Sequence, residues 1–90
     1  MLEEIKLSMR ISHDKLDTDI QRNIDTCLRD LARVGVDSSN EADFMLRRAC
    51  ELFVKWQYDY CGKGEQYQKN YEALRDALSM SEEYRGGTNV

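Results

Sequence analysis

Few residues in this 90-residue chain are of types that do chemistry, and their spacing narrows them further. His13 is the sole histidine. A general base needs a nucleophile beside it, and a metal-bound imidazole needs companion ligands. His13 falls in the first turn of an expected helix and reads as a surface or capping residue. Asp14, Asp17 and Asp19 crowd the same helix start. Asp14 and Asp17 can share a face, and a Mg²⁺ site is conceivable there. No third carboxylate clearly converges, and the paired carboxylates that a helical nucleotide hydrolase needs are missing. The cluster reads as solvated charge favoured by the helix dipole. Cys27, Cys50 and Cys61 fit no zinc spacing, and three is an odd number for a disulfide framework. They read as reduced thiols, two of them at apolar helical positions. Gly62-Lys63-Gly64 precedes a helix, where an anion can bind, but it lacks every other part of a phosphate loop. A tight interhelical turn is the better reading. Arg47 and Arg48, with Lys55 further along, form either a phosphate patch or ion pairs to Asp43, Glu51, Asp59 or a neighbouring subunit; ion pairs are favoured. Trp56, Tyr58, Tyr60, Tyr67 and Tyr71 suit core and interface packing better than base stacking, because no basic groove accompanies them.

The elements that must position these residues are helical. Proline is absent and glycine occurs five times, which disfavours turn-dense β folds. A first helix is expected over Leu2–Met9, with Leu2, Ile5 and Met9 as a narrow apolar stripe. A second is expected over His13–Val34, capped by Ser12 and stapled by Ile11 against Leu16. Its stripe runs through Ile20, Ile24, Cys27, Leu28, Leu31 and Val34. Gly35 stands where a left-handed residue ends a helix, and Val36 can then touch Leu31. A third helix is expected over Glu41–Cys61, capped by Ser39 or Asn40, and a fourth over Glu65–Met80. Ile20, Ile24, Leu28, Leu31, Leu46, Ala49, Phe53, Trp56, Tyr71 and Leu74 are the expected core. Phe44, Cys50, Val54 and Tyr58 widen the apolar surface of the third helix beyond one face. The expected fold is all-α: a small bundle of two long helices, a short N-terminal helix and a C-terminal helix. Residues 1–81 form the domain, and 82–90 a flexible C-terminal tail without helical period.

Composition bounds the function. Hydrophobic residues are 41% and charged residues 33%, as in a globular chain. No apolar run approaches the ~18 residues that span a bilayer, and Met1-Leu2-Glu3-Glu4 lacks a signal-peptide pattern, so no membrane partner is expected. Net charge is −4, and no segment is basic. That argues against gripping duplex DNA, though not against letting DNA pass.

One segment is specific. Met9-Arg10-Ile11-Ser12-His13-Asp14-Lys15-Leu16-Asp17-Thr18-Asp19-Ile20 follows a short amphipathic helix. A long helix then ends in Leu31-Ala32-Arg33-Val34-Gly35-Val36-Asp37, and Tyr67-Gln68-Lys69-Asn70-Tyr71-Glu72-Ala73-Leu74 closes the pattern. Over about residues 2–84 the chain resembles the small head-tail connector, or head-completion, proteins of tailed bacteriophages and prophages, also labelled DNA-packaging proteins. The resemblance implies a ring, commonly of twelve copies, beneath the portal protein in the neck of the virion. It also implies a platform for the next neck or tail-completion protein and a lumen through which DNA passes without specific binding. Before assembly the subunit sits in the host cytoplasm. The family carries no catalytic motif, so no catalytic residue, metal or cofactor is expected. A small acidic helical regulator or protein-binding module is the alternative. The acidity and the long turn at Gly35–Asn40 count against its helix-turn-helix form.

Assembly candidates follow. Subunit contacts are expected at Leu2, Ile5, Met9, Phe44, Arg47, Arg48, Val54 and Tyr58. Portal contacts are expected in the tail, at Tyr84, Arg85, Thr88 and Val90.

Overall fold

In the computed structural model, which describes residues 1–85, four helices follow one another. They are α1 (Leu2–Ser8), α2 (Asp17–Arg33), α3 (Phe44–Gln57) and α4 (Gly64–Ser79), with 3₁₀ turns at Tyr60–Gly62 and Glu82–Tyr84. α3 is central. It packs on α4 most extensively, on α2 next, and on α1 at its N-terminal half. The all-α bundle is as the periodicity indicates.

The helix ends show why. α2 stops at Gly35, whose φ of +91° suits a residue without Cβ. Val36 N–H donates to Leu31 O at 2.9 Å and Gly35 N–H to Ala32 O at 3.0 Å, the paired bonds of a Schellman ending. α1 stops the same way: Ile11 N–H donates to Lys6 O at 2.9 Å and Arg10 N–H to Leu7 O at 3.1 Å. Here Arg10 takes the left-handed position at φ +59°, which costs about 1–2 kcal/mol in a residue with a Cβ.

Two helix starts differ from expectation. α2 begins at Asp17, not His13. His13 Nδ1 accepts from Lys15 N–H at 3.2 Å, and Asp17 N–H donates to Asp14 O at 3.2 Å, so residues 13–16 close a turn that Ser12 does not cap. α3 begins at Phe44, not Glu41. Asn40 Oδ1 takes Ala42 N–H in a local turn, and Asp43 is the cap, its Oδ2 accepting from Met45 N–H at 2.9 Å and Leu46 N–H at 3.1 Å. α3 also ends early, at Gln57, because Asp59 and Cys61 take left-handed φ of +47° and +56°. α4 then starts at Gly64. A Cβ there would lie 2.7 Å from Asp59 Oδ1 and 3.3 Å from Trp56 O, so the close turn requires glycine.

The core joins Ile20, Ile24, Cys27 and Leu31 of α2 to Leu46, Ala49, Cys50, Phe53 and Val54 of α3 and Tyr71 and Leu78 of α4. Leu28, Trp56 and Leu74, expected inside, are half-buried at its rim. Phe53 meets Trp56 and Tyr71 edge-on, with ring centroids 5.4 and 5.2 Å away. Order continues past residue 81. Tyr84 packs on the core, its carbonyl accepts from Asp37 N–H at 2.7 Å, and Arg85 bridges Val36 antiparallel. Residues 82–85, expected in the tail, thus lie against the bundle, and 86–90 fall outside the described residues. Among the described residues no helix is long and apolar enough to cross a membrane.

Candidate assembly surfaces

Capping by Asp43 makes Phe44 the first residue of α3 and turns its ring outward, 70% exposed. One turn on, the Arg47 guanidinium sits 6.0 Å from the Phe44 ring centre. Beside them runs a groove of about 240 Å³ between α1 and α3, lined by Glu4, Ile5, Phe44, Arg47, Arg48 and Glu51. Ile5 is its apolar wall, 2% exposed. Arg47 reaches Glu4 of α1 at 3.8 Å, and Arg48 reaches Glu51 at 3.3 Å. Glu51 Oε2 also accepts from Ser8 Oγ at 2.8 Å and from Lys55 Nζ at 2.9 Å. Partial burial works against its charge, yet Lys55 and Ser8 hold its carboxyl below the usual carboxylate range. Ion pairing is thus the role of both arginines. Lys55 belongs to no basic patch; it is buried, with Nζ 5.3 Å from the Tyr60 ring and 5.6 Å from the Tyr67 ring.

The other candidates separate. Ile5, Met9 and Val54 turn into the subunit's own core, at 2%, 6% and 0% exposure. A seven-residue helix needs its apolar stripe to dock on α2 and α3, and Val54 lies on the same side of α3. Leu2 is half-buried beside Asp17, Gln21 and Asp25. Tyr58 is half-buried, and its hydroxyl donates to Asp19 Oδ2; burial and the Asp19 carboxylate push its pKa up to about 12. Tyr84, expected as a free anchor, is tied down: its hydroxyl donates to Asp43 Oδ1 at 3.3 Å. Arg85 is exposed, and Thr88 and Val90 lie outside the described residues.

The remaining chemical groups are absorbed by the fold. Asp17 pairs with Lys6 Nζ at 2.7 Å and Asp19 takes Tyr58, while Asp14 is exposed, so the three aspartates share no partner. The Gly62–Gly64 turn holds an internal anion: Gly64 N–H donates to Asp59 Oδ1 at 2.7 Å. Cys27 and Cys50 are buried and Cys61 is exposed. The hydrogen bond that the Cys50 thiol donates to Cys27, with burial, pushes the Cys50 thiol far up, so it stays protonated.

Sequence reasoning missed Asp30. Its Oδ2 accepts from Tyr71 OH at 2.7 Å and Arg75 at 3.2 Å, and its Oδ1 from Arg33 at 2.7 Å. Burial opposes ionisation, but these three donors hold the Asp30 carboxyl below the usual range. It ties α2 to α4. Its three-residue spacing from Arg33 is readable; its partners on α4 are 41 and 45 residues away and are not.

These surfaces are built for packing and ion pairing between elements. No curated protein and no solved structure matches the chain. Residues 1–85 match a family model described as phage connector protein, and the chain belongs to that family.

Proposed function

We propose that this protein is the head-tail connector of a tailed phage or prophage. Its subunits form a ring, of twelve copies by the family resemblance, below the portal in the virion neck. The ring presents its far side to the next neck or tail-completion protein. The observation that carries this reading is the connector-family match over nearly the whole chain. The exposed Phe44, Leu7 and Met80 support it, since such side chains are natural contacts in an assembly.

The charge suits a passage for DNA. Twelve copies at −4 each sum to about −48, so a ring does not hold phosphates tightly and the genome can slide. Isolated protein should bind duplex DNA weakly and with steep salt dependence. The C-terminal segment with Tyr84, Arg85, Thr88 and Val90 is the proposed portal contact, and residues 86–90, past the Tyr84 contacts, are its removable part. Removing them should leave the helical body's stability unchanged and lower portal affinity at least tenfold, or about 1.4 kcal/mol.

The test is genetic and structural. Phage made without this protein should yield DNA-filled heads that leak and do not join tails, and restoring the protein should restore joining. Normal, tailed, DNA-retaining particles in its absence would contradict the proposal.

A further inference from the structure

α2 and α3 are joined by residues 34–43, a stretch without helix. Most of its hydrogen bonds are local. Asp37 Oδ1 accepts from Ser39 N–H at 3.0 Å and from Ser39 Oγ at 2.7 Å. Asn40 Oδ1 accepts from Ala42 N–H at 3.1 Å, and Asp43 N–H donates to Asn40 O at 3.0 Å. Among the described residues, the hydrogen bonds of this connection to a distant part of the chain go to one residue, Tyr84. Asp37 N–H donates to the Tyr84 carbonyl at 2.7 Å near the start of the connection. Asp43 Oδ1 accepts from the Tyr84 hydroxyl at 3.3 Å at its end. Arg85 bridges Val36 beside the first of these contacts. Residues 81–85 thus form a strap across the connection.

The strap is lightly held. Tyr84 is half-buried against the core, whereas Glu82, Glu83 and Arg85 are exposed. A hollow of about 180 Å³ lies between strap and connection, lined by Asp37, Asn40, Asp43, Leu46, Glu83 and Tyr84. Three of those side chains are carboxylates and none is a cation, so charge repulsion works against closure. A segment with few apolar contacts and exposed hydrogen bonds opens at low cost. Asp43 uses both of its oxygens: Oδ1 takes the Tyr84 hydroxyl, while Oδ2 caps Met45 N–H and Leu46 N–H. One side chain therefore ties the strap to the first turn of α3, where Phe44 stands exposed.

We propose that the strap is a latch: it is closed on Asp37 and Asp43 in the free subunit, it opens for the C-terminal segment to engage a portal ring, and its opening loosens the first turn of α3. The inference rests on the C-terminal portal contact proposed above and deepens it by naming its regulation. A phenol carries one hydroxyl hydrogen, so Tyr84 donates either to Asp43 or to an acceptor on the portal. Its ring likewise packs either on the core or on the partner. The portal takes the open strap, so its apparent affinity is lowered by the fraction of chains held shut. In the same step Asp43 loses the donor that fixes its free oxygen, and the connection loses both of its distant ties.

Asp43→Ser separates the two tasks of this residue. Serine caps a helix as well as aspartate does, but it has no second oxygen for Tyr84. The variant should keep wild-type circular dichroism and bind portal rings about threefold or more tightly than wild type, because its latch is already open. Tyr84→Phe leaves the cap itself untouched. In the free protein it should speed hydrogen exchange of the Met45 and Leu46 amides about threefold or more relative to the Tyr71 amide of α4. Should Asp43→Ser lose the fold, the exchange of Tyr84→Phe decides alone. Portal affinity of folded Asp43→Ser at or below the wild-type value overturns the latch while leaving the connector reading intact. Unchanged exchange in Tyr84→Phe overturns the link from strap to α3. A wild-type chain that binds no portal ring overturns the connector reading itself, and the latch with it.

Discussion

The α3–α4 hairpin and α1 are held by different physics. The hairpin closes on Phe53, Trp56 and Tyr71, whose rings meet within 5.2 to 6.1 Å, and it includes the most extensive helix pair of the fold. α1 has seven residues and is anchored by Ile5 and Met9, with the polar ties Lys6–Asp17 and Ser8–Glu51. A helix that short is not stable alone. α1 is therefore expected to open locally over the α2/α3 core, and the hairpin only when the domain does. The same contrast separates the exposed apolar side chains: Leu7 and Phe44 sit on or beside the lightly held helix, and Met80 follows the last turn of the tightly held one.

The largest effects should come from the hairpin. Phe53→Ala should cost about 3–5 kcal/mol, read as a lower urea midpoint for the whole domain. Ile5→Ala should cost less than a comparable α2 change such as Ile24→Ala, because α1 can detach without unfolding the rest. Hydrogen exchange should then show α1 amides losing protection while α4 amides keep theirs. Equal loss in both helices would erase the contrast. Gly64→Ala should cost about 1–3 kcal/mol, since the new Cβ would displace Asp59 Oδ1 from 2.7 Å and press on the Asp59 and Trp56 backbone at 3.2–3.3 Å. Asp43→Ala removes two cap bonds and the Tyr84 contact, at about 0.5–2 kcal/mol by thermal melting.

The smallest effect is a pH dependence. The Asp30 and Glu51 carboxyls are both held below their ordinary values in the fold. Their stabilisation is fully present above the unfolded carboxylate pKa, near 4, and is lost as pH falls through the lower folded values. Asp30→Asn should destabilise the protein at neutral pH and narrow the gap in urea midpoint between neutral and strongly acidic solution. An unchanged gap would show that the Asp30 hub does not link α2 to α4 energetically.

What was legible in the sequence was periodic or punctuated. The phases of α2 and α4 follow from stripes such as Ile20-Ile24-Leu31 and Tyr71-Leu78, and the Gly35 ending from one glycine with Val36 behind it. The α3 cap was not legible, because Asp37, Ser39, Asn40 and Asp43 can all accept a backbone N–H. Asp37 and Asn40 spend that capacity on local turns, and only Asp43 faces the helix. Nor could a stripe reveal which apolar positions are spent internally. Val54 and Phe44 both extend the apolar surface of α3, yet Val54 is 0% exposed and Phe44 70%, because α3 is covered from three sides and Phe44 stands at its open end.

The central claim is that this chain assembles as a ring on a portal, and native mass spectrometry of portal rings incubated with the protein tests it most directly. A saturating species carrying a fixed complement of about twelve chains, the number implied by the family resemblance and allowed by closed symmetry, is the predicted result. Portal rings that emerge without bound chains, or with an unsaturated spread of one or two, would contradict it.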